Sequence, residues 1–92
     1  MIHLEANNPP GKRCALYLRY AEKIGQFTGK PFSATYHPAR TGQGRITPGL
    51  SIAGKTLIPS NGDTLSPQDI YTTLPDATPE LLEALIGAQR VA

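Results

Sequence analysis

Few side chains in this chain are equipped for chemistry. There is one cysteine, Cys14, and there are two histidines, His3 and His37. Cys14 follows Lys12 and Arg13 where a helix is expected to begin. Cations and a helix N-terminus both favour thiolate, so a monothiol exchanging with glutathione is one reading. The other takes Cys14 as the start of the apolar stripe of that helix, a small buried hydrophobe. A single thiol excludes an internal disulfide and a cysteine-only metal site. Two imidazoles with scattered carboxylates lead us to expect no metal. A Cys14–His37 nucleophilic pair needs an orienting third group and an oxyanion site, and the sequence signals neither. His3 alternates outward on the first strand, either solvated or packed on a neighbouring helix.

The remaining polar chemistry is basic. Arg40 and Arg45 bracket a segment, 37–45, with Gly42 and Gly44 between them. Backbone N–H groups there could hold a phosphate or carboxylate. No phosphate-loop or dinucleotide fingerprint accompanies them. The formal net charge is +2, unevenly placed: residues 1–55 carry +6 and residues 56–92 carry −4. Such a dipolar chain suits a small anionic ligand, a protein partner or head-to-tail pairing in a homodimer. Lys12, Arg13, Arg19, Lys23, Arg40 and Arg45, with Tyr17 and Tyr20 interleaved, could form a nucleic-acid patch. With no RNA- or DNA-binding signature and a modest net charge, nucleic acid is not the expected partner.

These residues must be positioned by a small α/β domain spanning 1–92. Ile2, Leu4 and Ala6 alternate with His3 and Glu5, a strand with one inward face. The stretch 7–11, with two prolines and a glycine, ends it. Cys14, Tyr17, Leu18, Ala21, Ile24 and Gly25 form one helical stripe, and Leu16, Tyr20 and Phe27 form an edge for a second helix. Gly29 and Pro31 stop that helix. Phe32, Ala34 and Tyr36 make a second strand, which the intervening helix leads us to expect parallel to the first. Leu50-Ser51-Ile52 and Thr56-Leu57-Ile58 make a hairpin around 53–55. Ser66-Pro67-Gln68-Asp69 starts a short helix running to about Leu74. Thr78-Pro79-Glu80 starts a last one, with Leu81, Leu82, Leu85 and Ile86 on its apolar side and fraying from Gln89. No apolar run is long enough to span a membrane. Met1 to Glu5 lacks the pattern of a signal peptide. The expected setting is the cytoplasm.

The order strand, helix, strand, hairpin, helix resembles the thioredoxin-like superfamily. Thr47-Pro48 ahead of the hairpin is similar to the Thr-Pro of thioredoxins, and 52–58 resembles their edge hairpin. The direct path from second strand to hairpin is closer to the selenoprotein W branch. The resemblance implies a four-stranded mixed sheet with helices packed on it. It also implies a cis Pro48 and a cleft in which Thr47 and Pro48 face Pro9, Pro10 and Gly11, with Lys12, Arg13, Arg40 and Arg45 nearby. The departure is chemical. Members of that superfamily carry two thiols, or a thiol and a selenol, after the first strand. This chain has Cys14 alone, so an internal dithiol cycle is impossible. The expectation is a non-enzymatic protein- or ligand-binding module without a cofactor; the alternative is monothiol redox chemistry at Cys14 with glutathione.

Overall fold

The structure is a computed structural model that describes residues 1–8, 11–38, 48–75 and 77–91. Its elements are β1 (Ile2–Asn8), α1 (Lys12–Thr28), β2 (Phe32–Pro38), β3 (Gly49–Ile52), β4 (Lys55–Thr56), α2 (Pro67–Thr73) and α3 (Pro79–Val91). The four strands form one mixed sheet in the order β2-β1-β3-β4. β1 and β2 are parallel, with Ile2 opposite Phe32 and Leu4 opposite Ala34. β3 is antiparallel to β1, and β4 to β3. The expected α/β class and four-stranded mixed sheet are thus present.

Alternation decides which face is covered. Ile2, Leu4 and Ala6 of β1, with Leu50 and Ile52 of β3, are buried. α1 lies against β1, β2 and β3, α3 packs on α1, and α2 packs on α3. The buried face of α1 is Cys14, Leu16, Tyr17, Tyr20, Ala21 and Ile24. Leu16 and Tyr20 therefore join the core, whereas Phe27 stays 48% exposed. Tyr17 and Tyr20 are buried with their rings stacked, centroids 6.3 Å apart. The reading that set them among surface cations is corrected: they have an internal task. The N–H of Leu65 donates to Tyr17 Oη at 3.0 Å, and Tyr20 Oη donates to the Leu65 carbonyl at 3.1 Å. Both polar groups of one buried backbone unit are satisfied by α1, as a buried peptide requires.

The ends of the elements follow local chemistry. Gly29 caps α1 with φ 70°, a left-handed conformation glycine adopts without a Cβ clash, and its N–H donates to the Gly25 carbonyl. Ser66 and Asp69 form the reciprocal capping box of α2, with Pro67 in its first turn. Thr78 Oγ1 accepts from the Leu81 N–H at the start of α3. α3 runs through Val91, and Ala92, the last residue of the expected fray, lies outside the described residues. Two boundaries move. β1 runs on through Asn7 and Asn8, and β2 includes His37 and Pro38. The hairpin turn is Ala53-Gly54, both at positive φ, which pairs Lys55 with Ile52. β4 spans Lys55–Thr56, but the N–H of buried Leu57 still donates to the Leu50 carbonyl at 2.9 Å, while Ile58 is 80% exposed.

Candidate functional site

The face of the sheet opposite α1 carries His3 and Glu5 from β1 and Ser33, Thr35 and His37 from β2. Strand alternation puts His3 and Glu5 on one side, and the parallel register sets them opposite Ser33 and Thr35. Their side chains are joined. Ser33 Oγ lies 2.8 Å from His3 Nδ1, and His3 Nε2 lies 3.1 Å from Glu5 Oε1 and 3.3 Å from Thr35 Oγ1. The other carboxylate oxygen, Oε2, accepts from His37 Nε2. Glu5 thus bridges two imidazoles across two strands. The hydrogen bond from His37, and then that from His3, hold its carboxyl below the ordinary glutamate range.

The chain Ser33–His3–Glu5 has the connectivity of a nucleophile, a base and an orienting carboxylate. The β1–β2 ladder opens with the Ile2 N–H donating to the Pro31 carbonyl at 2.8 Å. In this register the N–H of Ser33 then points to β1. The N–H of Ala34, the next residue, points away from the sheet. The three linked side chains His3, Glu5 and His37 are 32%, 44% and 44% exposed, an open polar surface. Among the described residues no group of three His, Cys, Asp or Glu side chains is arranged to hold a metal ion.

Cys14 lies at the other end of the argument. It is 2% exposed. The N–H of Asn7 donates to its Sγ at 3.4 Å and Asn7 Nδ2 at 3.8 Å, so the thiol is packed between the end of β1 and the first turn of α1. Gly11 is the N-cap of α1, exposed and without a side-chain cap, and Lys12 is exposed beside it. Arg13 is engaged by Asp63, with Nη2 2.5 Å from Oδ1. Pro48 is half-buried directly ahead of β3. Because Gly49 pairs with Glu5, topology brings Pro48 and the Gly11–Arg13 segment to the same end of the sheet. Pro9, Pro10, Arg40, Arg45 and Thr47, and with Thr47 the Thr47–Pro48 peptide bond, lie outside the described residues. An open groove of about 370 Å³ is lined by Arg19, Glu22 and Lys23 of α1 and Ala84, Gly87 and Ala88 of α3. Arg19 Nε donates there to the Ala88 carbonyl at 3.3 Å, which ties the two helices together.

The histidine–carboxylate bridge is the part that residue-by-residue reading missed. His3 and Glu5 share a face by simple alternation, a signal present in the sequence. The approach of His37 required the β2 boundary and the parallel register. No protein-family model, curated protein or solved structure matches the chain. Among the described residues, no helix is long and apolar enough to cross a membrane.

Proposed function

We propose that this chain is a thioredoxin-like module without the dithiol site, acting as a non-enzymatic protein- or ligand-binding domain. The element order and the mixed sheet support the architecture. The burial of Cys14 carries the functional half: a thiol 2% exposed, with Asn7 donating to its sulfur, is not presented to a disulfide substrate. The polar face built on Glu5 offers donors and acceptors to a partner. Burial favours this reading over monothiol exchange with glutathione.

The test is the reactivity of Cys14 in the native chain. Alkylation by iodoacetamide is expected to be slow across neutral and mildly alkaline pH and to become fast once denaturant opens the fold. Incubation with oxidised glutathione is expected to leave the native protein without an adduct. Rapid native alkylation with an apparent pKa well below about 8.5, or ready glutathionylation, sinks the proposal in favour of the monothiol alternative.

A further inference from the structure

The sheet has two unequal edges. β4 is two residues long, a blunt edge. β2 is seven residues long, and from Pro31 to Pro38 it carries no Lys, Arg, Asp or Glu. Native proteins usually protect a long edge with charge, a bulge or proline, because its unpaired amides template another strand; here prolines stand only at the two ends, Pro31 and Pro38. Here Phe32 and Tyr36 stand 40% and 45% exposed along it, on the helix-covered face with Ile2 and Ala6.

The backbone of that edge is aimed outward at defined positions. With the Ile2 N–H on the Pro31 carbonyl and Ile2 opposite Phe32, Ser33, Thr35 and His37 turn their N–H groups to β1. Phe32, Ala34 and Tyr36 turn their N–H and C=O groups away from the sheet. The side chains around Ala34 read the same in both directions: aromatic, hydroxyl, alanine, hydroxyl, aromatic.

We infer that β2 pairs antiparallel with β2 of a second copy of this chain, about a two-fold axis at Ala34. An isologous interface needs a self-complementary surface, and this strand is one. Ala34 then faces Ala34, Phe32 faces Tyr36 and Ser33 faces Thr35 of the second copy. The centre falls on a residue whose amide points out, so Phe32, Ala34 and Tyr36 all occupy hydrogen-bonded positions of the new ladder. Aromatic pairs close the helix side and hydroxyl pairs the polar side, both favourable across strands. No charge faces a like charge: Lys30 comes opposite Pro38, and His37 opposite Pro31. A centre at Ser33 or Thr35 would also pair outward amides, but it sets Phe32 or Tyr36 opposite Ala34 and loses the aromatic pairs. The inference does not depend on Cys14 and rests on the backbone edge of β2, although Ser33 and Thr35 also contact His3.

The contact is small beside a standard interface, so dissociation in roughly the micromolar to millimolar range is expected. Sedimentation equilibrium on the full chain tests it, with circular dichroism confirming the fold of each variant. The wild type is expected to dimerise. Phe32→Lys/Tyr36→Lys sets lysine opposite lysine at both ends of the seam and should weaken association at least about tenfold. Phe32→Lys/Tyr36→Glu sets opposite charges in the same register and should restore it in a salt-sensitive way. Ala34→Pro removes one outward N–H and leaves the β1 ladder intact, and should also give a monomer. Should that variant misfold, the two exposed-position doubles decide. A wild type monomeric at about 1 mM, a dimer indifferent to Phe32→Lys/Tyr36→Lys, or a charge-paired variant no stronger than the lysine pair overturns the inference. So does a monomer whose β2 edge takes up only an added extended peptide.

Discussion

The backbone N–H of Asn7 donates to the sulfur of Cys14 across 3.4 Å, joining the end of β1 to the first turn of α1. This contact places Cys14 among packing groups. Cys14→Ala removes a buried sulfur and the acceptor for Asn7. It is expected to retain the fold at a cost of about 1–2 kcal/mol in urea unfolding. A variant as stable as the wild type would show that the site collapses around the missing atom and that Asn7 finds another acceptor.

The tyrosine pair on Leu65 gives a prediction in alkali. Burial pushes the Tyr20 hydroxyl up to about 12, and burial raises Tyr17 as well. Unfolded tyrosine ionises near pH 10. Above that pH the unfolded chain holds fewer protons than the native one, so stability falls with rising pH. The contribution is whole below about pH 10 and is lost on the way to about pH 12. Tyr20→Phe should flatten that decline in urea midpoints measured across the window. Tyr17→Phe leaves the buried Leu65 N–H without its partner and should cost about 1–3 kcal/mol at neutral pH.

Glu5 acts at the opposite end of the pH scale. Its carboxyl is held low by His37 and His3, so the native chain keeps it ionised where the unfolded chain is already protonated. The stabilisation is present above the ordinary glutamate pKa, near 4.5, and disappears as pH falls through the native value. Because the bridge is solvent-exposed, its worth is that of a surface pair, under about 1 kcal/mol. Glu5→Gln should change neutral stability little and reduce the slope of stability against pH on the acid side. An unchanged slope would mean that the carboxylate does not pair with the imidazoles in solution.

Legibility in the sequence tracked the range of the interaction. The caps of α2 and α3 were readable because Ser66, Asp69 and Thr78 act on backbone a turn away. β1 and β2 were readable because Ile2, Leu4 and Ala6, and then Phe32, Ala34 and Tyr36, alternate. What short-range pattern did not contain was register. The place of His37 beside Glu5, the outward amide of Ala34 and the contact of Asn7 with Cys14 all depend on where two distant strands, or a strand and a helix, come into step. The task of Tyr17 and Tyr20 was hidden for the same reason: their partner, Leu65, lies 48 and 45 residues along.

The Ala53-Gly54 turn is the clearest case of a local rule broken. Both residues have positive φ, 53° and 79°, as a two-residue hairpin of mirror-image turn type requires. Gly54 meets that requirement without cost. Ala53 does not, because its Cβ approaches the neighbouring carbonyl, a strain of roughly 1–2 kcal/mol. Asparagine tolerates the left-handed region far better, and Asn-Gly is the preferred pair for such turns. Position 53 is exposed, so the change disturbs no packing. Ala53→Asn should therefore stabilise the fold by about 0.5–1 kcal/mol, read as a higher urea midpoint with an unchanged slope. Gly54→Ala should do the reverse by a similar amount, since it adds a Cβ at φ 79° where there is open space but no relaxed conformation. If Ala53→Asn leaves the midpoint where it was, the turn is not strained at Ala53 and β3–β4 pairing sets the hairpin without help from its loop.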